Sequence, residues 1–147
     1  MRGPTKIDPV NRIIDANINR AKEGLRVCEE IARFILNSRQ LTGEFKKIRH
    51  GIDILIKRLP PGEELLATRK SSEDVGRTIN AGEFTRRNFR DIFSANIQRV
   101  KESIRVLEEF TKLSKKSLSL SFKKIRYEVY EIEKKASKRI SALRLNR

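Results

Sequence analysis

Residues 19–30 read NRAKEGLRVCEE, and residues 98–109 read QRVKESIRVLEE. The same amphipathic phrase thus occurs twice in one chain, 79 residues apart. Asn17 matches Asn96, Arg20 matches Arg99, Glu23 matches Glu102 and Arg26 matches Arg105. Glu29 and Glu30 match Glu108 and Glu109. Further on, FKKIR at 45–49 returns as FKKIR at 122–126, 77 residues later, so the second connection is two residues shorter. A phrase and its distant echo, repeated in the same order, describe a duplicated helical hairpin. Two copies are too few for a solenoid and predict a closed, pseudo-symmetric bundle.

The apolar residues around these phrases recur at alternating steps of three and four, the period of a helix face. The first stripe is Ile14, Ile18, Ala21, Leu25, Cys28, Ala32 and Ile35, opened by Asp8 as a cap and Pro9 in the first turn. The second is Phe45, Ile48, Ile52, Leu55 and Leu59, stopped by LPPG; NSRQLTG reads as the connection between them. The third is Phe93, Ile97, Val100, Ile104 and Leu107. After the connection SKKSLSLS, the fourth is Phe122, Ile125, Val129, Ile132 and Ala136. The expected fold is all-α: a bundle of four main helices with a long central loop. It forms one domain over 1–147, with repeat one at about 9–59, the loop at about 60–85 and repeat two at about 86–140. Within the loop, EELLAT allows a short helical turn, and Asp74, Gly76, Asn80 and Gly82 supply turn chemistry.

Composition narrows the function. The 147 residues carry a formal net charge of +15, which calls for an anionic partner: nucleic acid, an acidic membrane surface or a phosphorylated small molecule. One cysteine forms no intramolecular disulfide, and no secretion signal is evident, so a cytoplasmic setting is expected. No apolar run reaches the roughly 20 residues of a membrane span. Cys28 reads as core and His50 as a rim residue. CxxC, HExxH, GxSxG and the Walker spacing are absent from the chain, so zinc sites, serine triads and P-loops have no support.

The polar letters inside the stripes carry the functional expectation. On a helical wheel Asn17 falls between Ile13 and Ala21, and Arg20 between Val27 and Ile31; Asn96 and Arg99 repeat the pattern. These four are therefore expected toward the bundle centre, where two arginines require an anion. That anion is either internal, such as Glu23 or Glu102, or a ligand. Gly24, matched by Ser103, predicts close approach of a backbone or a ligand. Glu23, Glu30, Glu102 and Glu109 lie toward the rim, as salt-bridge partners of Arg26, Arg33 and Arg105 or as magnesium ligands or proton acceptors. Glu29 and Glu108 are expected to be solvated. Arg49 and Arg126 are open to either an ion pair or a ligand contact. In the loop, TRKSSEDVGR combines Arg69, Lys70, Ser71, Ser72, Asp74, Gly76 and Arg77, a set that suits a phosphate, with Asp74 suited to a metal.

The sequence N-x-x-R-A-x-E-G-L-R-V-x-E-E, then R-H, then an R-x4-D-V-G loop, then a degenerate second copy, resembles the small hydroxymethylpyrimidine phosphate kinases of thiamine biosynthesis. The likeness runs from about Arg12 to about Glu133. That family occurs alone or fused to thiamine-phosphate synthase and differs from the ribokinase-like enzyme of the same activity; this chain is expected to be the standalone form or a fragment of a fusion. The resemblance implies transfer of the ATP γ-phosphoryl group to hydroxymethylpyrimidine phosphate, with Mg²⁺. On this reading Arg20, Arg69 and Arg99 hold phosphates, with Arg26, Arg49, Arg105 and Arg126 as further phosphate contacts. Asn17 and Asn96 read the pyrimidine or a phosphate, and Glu23, Glu102 and Asp74 are the catalytic and metal candidates. The two halves would divide nucleotide and pyrimidine between them. A homo-oligomer could build the site across chains. The competing readings are a basic helical RNA-binding protein, which predicts outward arginines, and a non-catalytic helical scaffold.

Overall fold

In the computed structural model, described for residues 8–59, 62–78 and 85–143, five helices and no strand are present among the described residues. They are α1 Asp8–Glu30, α2 Arg39–Ile56, the short α3 Gly62–Ala67, α4 Phe89–Phe110 and α5 Lys116–Ala142. The all-α expectation holds. The hairpins α1–α2 and α4–α5 pack against each other, with α1 lying most extensively on α4, and α5 touching both α4 and α2. None of the helices is long and apolar enough to cross a membrane.

The four stripes form one continuous core, in which Phe45 and Phe122, the same residue of the two copies, are both buried. Burial pushes the Cys28 thiol up to about 12, with Glu133 adding to it, so Cys28 is an inert core group.

Where α1 and α4 cross, Gly24 has no room for a side chain. A Cβ there would lie 2.6 Å from Val100 Cγ2 and 3.0 Å from the carbonyl oxygen of Asn96. The close approach expected at Gly24 is therefore that of a neighbouring helix backbone. Ser103, its counterpart, is buried and donates back to the carbonyls of Arg99 and Val100 at 2.7 and 3.1 Å.

The joints differ from expectation. Ile35, read as core, is 38 % exposed, and Leu36 is buried in its place. A π-turn over Ile31–Ile35, closed by Leu36 N–H on the carbonyl of Ile31 at 2.9 Å, adds a residue to the last turn and moves the stripe by one. Asn37 then takes a left-handed φ of 49°, which asparagine tolerates, and reverses the chain. NSRQLTG is mostly helix: Ser38 caps α2 by accepting from the Leu41 amide at 3.1 Å, and Leu41 is buried. SKKSLSLS likewise enters α5, because Leu118 is buried and Ser119 Oγ donates to the Glu108 carbonyl at 2.7 Å. The short helix over EELLAT is present as α3. Asn80 and Gly82 lie outside the described residues.

Candidate functional site

The repeated phrases do two different jobs. Glu29 and Glu108, expected in water, are 5 % and 2 % exposed. Each is held by the arginine of its own FKKIR: Arg49 Nε donates to Glu29 at 3.2 Å, and Arg126 Nη2 donates to both oxygens of Glu108 at 3.1 Å. Arg26 flanks Glu29 and Glu30, and Arg105 pairs with Glu108 and Glu109. The expectation that these carboxylates lie in water considered α1 and α4 alone. The second helix of each hairpin covers their flank and brings the compensating cation. Burial alone would raise Glu108, but the hydrogen bonds from Arg126 and Arg105 outweigh it and hold it below the ordinary carboxylate range. Arg126 also lies over Tyr127 and Tyr130, at 5.1 and 5.6 Å, and donates to the Tyr130 hydroxyl at 2.8 Å. Arg26, Arg49, Arg105 and Arg126 are thus placed in two equivalent hairpin clamps. Lys22 to Asp53 and Lys101 to Glu133 are further bridges within each hairpin, at 2.8 and 2.9 Å.

The second arrangement occurs in the first copy. A cleft of about 650 Å³ opens between α1 and the segment after α3. Its α1 wall carries Arg12, Ala16 and Arg20 on one row and Asp15, Asn19 and Glu23 on the next, each spaced by four. Arg69, Lys70, Ser71 and Asp74 form the opposite wall. Asn17 lines it too, buried, its Nδ2 donating to the Ile13 carbonyl at 2.8 Å. So Asn17, Arg20, Glu23, Arg69 and Asp74 are brought together from the expected set. Asn96, Arg99 and Glu102 do not line this cleft. Asn96 makes the same turn-back bond to Ile92, and Glu102 sits in a smaller groove of about 330 Å³ with Gln98, Lys101, Arg105 and Tyr130.

Arg20 and Arg99 are exposed rather than directed to the bundle centre, since their long stems carry the charge off the flank of the stripe into water. The side chains of Arg12, Arg20 and Lys70 make no hydrogen bond or ion pair among the described residues, and neither does that of Glu23. Arg69 is different. Its Nε and Nη2 donate to the two oxygens of Asp15 at 2.9 and 3.0 Å. That bond, with the charges of Asp15 and Glu23, holds Arg69 above its ordinary range. Asp15 escaped the sequence reading. The signal was available: a carboxylate set among Ile13, Ile14, Asn17 and Ile18 needs a cation from elsewhere. In the loop, Ser71–Glu73 forms a short 3-10 turn, and Asp74 Oδ1 accepts from the Gly76 amide at 2.8 Å, which explains the D-V-G order. Val75 between them is 98 % exposed.

The acidic groups of the cleft fit a magnesium ion whose shell is completed by a ligand. Mg²⁺ is commonly held by one or two carboxylates plus phosphate oxygens, and Glu23 is uncommitted while Asp74 retains its second oxygen. They do not form an all-protein cage, because no group of three or more potential ligands exists among the described residues.

Comparison with known proteins agrees with the motif. The chain is 40 % identical over 125 residues to a thiamine-phosphate synthase of Synechocystis sp., covering 84 % of this chain and 35 % of that protein. It is 42 % identical over 125 residues to the thiamine-phosphate synthase of Nostoc sp., covering 84 % and 34 %. For the protein of that name from Prochlorococcus marinus subsp. pastoris, identity is 38 % over 138 residues, covering 90 % and 38 %. The chain therefore spans about a third of the length of the curated relatives it matches. No solved structure matches it. These relatives tie the chain to thiamine biosynthesis. The model of the ThiD2 family matches residues 12–135, most of the chain, and the chain belongs to that family.

Proposed function

We propose that this chain is an ATP-dependent kinase that converts hydroxymethylpyrimidine phosphate to its diphosphate. The observation that carries the reading is the cleft in which Asn17, Arg20 and Glu23 of the first phrase face Arg69 and Asp74 of the R-x4-D-V-G loop. The family membership and the names of the relatives support the pathway.

The chemistry asked of the cleft is modest. A phosphate oxygen of the acceptor attacks the γ-phosphorus of ATP, a new P–O–P bond forms, and the bond to the ADP oxygen breaks. A phosphate monoester is already largely anionic at neutral pH, so no side chain has to remove a proton. Two polyanions must instead be held together, which is positioning and charge neutralisation. Arg12, Arg20 and Lys70 supply uncommitted positive charge, and guanidinium groups bind phosphate oxygens in pairs. The amide oxygen of Asn17 remains free to accept from the pyrimidine amine. Mg²⁺, held by Glu23 and Asp74, would neutralise charge on the transferring phosphate when bound.

A second reading, RNA binding, draws on a separate groove of about 660 Å³ at α2 and α5, lined by Lys46, Lys47, His50 and Lys124 among others. One experiment separates the two. ADP release is measured with Mg-ATP and hydroxymethylpyrimidine phosphate, with the free alcohol as a control, beside thermal melting with each ligand and with a short RNA. ADP release that depends on the phosphorylated pyrimidine supports the kinase. Its absence, with a salt-sensitive melting shift from RNA alone, overturns it.

A further inference from the structure

The clamps are duplicated, whereas the contact that builds the cleft is not. Asp15 corresponds to Ser94 in the second copy, so only the first copy has a carboxylate at this position. Asp15 is 8 % exposed on α1, and its partner Arg69 comes from a loop 54 residues away. The short helix α3 packs on α1 through buried Leu65, but residues 69–78 beyond it are all exposed. Among the described residues, the bidentate bond of Arg69 to Asp15 is the one side-chain hydrogen bond or ion pair joining residues 69–78 to the bundle.

We infer that Asp15 is a positioning residue: its carboxylate anchors the loop of residues 69–78 against α1 and presets the Arg69 guanidinium to receive a substrate phosphate. The fork geometry supports both halves of the statement. A carboxylate accepting from Nε and Nη2 fixes the guanidinium plane, which a single bond to lysine would not. Two of the five guanidinium N–H groups are used on Asp15, and three stay available to an anion. The same anchor holds Lys70, Ser71 and Asp74 at the cleft wall. The anchoring stands by itself; the phosphate part rests on the kinase reading.

The test uses limited trypsin digestion of the folded chain, with early cuts after Lys70 and Arg77 located by mass spectrometry. Asp15→Asn keeps the shape of the side chain and removes its charge; Arg69→Gln removes the partner from an exposed position, where folding is not at risk. Both cuts are expected to accelerate about fivefold in either variant, and no further in the pair, because proteolysis follows the open population of the loop. Asp15→Arg combined with Arg69→Asp is expected to restore resistance. Unchanged cutting in both single variants would overturn the anchor. In the kinase assay, Asp15→Asn is expected to raise the KM for the phosphorylated pyrimidine roughly tenfold, and the charge reversal to leave that KM high. A loosened loop with unchanged KM overturns the positioning role. A wild-type chain without kinase activity, but with the expected cutting pattern, overturns the kinase reading and keeps the anchor.

Discussion

Gly24→Ala tests the crossing on which the rest of the bundle is hung. Two terms oppose each other. Alanine in place of glycine inside a helix gains about 1 kcal/mol from backbone propensity alone. Against it, the new methyl would sit 2.6 Å from Val100 Cγ2 and 3.0 Å from the Asn96 carbonyl oxygen. Val100 is fully buried and its branched side chain has one good rotamer in a helix. The Asn96 oxygen is backbone and moves only with α4. Overpacking of this kind costs about 1–3 kcal/mol, so the net expectation is a loss near 1 kcal/mol, or about 2–4 °C in melting temperature. Urea unfolding of Gly24→Ala, Val100→Ala and the double variant would read it directly. The double variant should be more stable than the sum of the single losses by at least about 0.5 kcal/mol, since the two groups compete for one space. If Gly24→Ala instead raises stability by the propensity term, the crossing is looser than described and the reasoning is wrong.

Other outcomes follow from the clamps and the cleft. Glu108→Ala strands Arg126 in a largely buried setting and is expected to cost about 3 kcal/mol, whereas replacing both by Leu and Met should be close to neutral, as urea midpoints would show. The folded carboxyl of Glu108 lies below its unfolded value, so its stabilisation is complete above the unfolded carboxylate range and is lost as pH falls through the folded value. Glu108→Gln should therefore flatten the acid limb of the stability curve, and an unaltered limb in pH-dependent unfolding would remove Glu108 as its source. Arg20→Ala, at an exposed and unpaired position, should leave the melting temperature nearly unchanged and weaken binding of the phosphorylated pyrimidine by about 10-fold or more in calorimetry, whereas Arg26→Ala should leave binding unaltered.

The repeat, the four main helices and most of the core were legible in the sequence, because apolar period is a local property of the chain; Leu41, Leu65 and Leu118, in segments read as connections or loop, were not. The duplicated phrase also announced that its polar letters mattered, and Asn17, Arg20, Glu23, Arg69 and Asp74 were among the residues named, alongside Asn96, Arg99, Glu102 and the clamp arginines, which do not line the cleft. Ile35 and Leu36 were misplaced because a π-turn is one extra residue in a hydrogen-bond ladder, and no change in hydropathy marks it. The direction of Arg20 and the burial of Glu29 and Glu108 could not be read from one helix. Both depend on what a second helix covers, and long side chains reach past the wheel position of their own Cα. Asp15 and Arg69 are far apart in sequence, and their pairing is decided by desolvation: a carboxylate on a mostly covered wall and an arginine on an open loop have meaning for each other only after α3 returns the chain to α1.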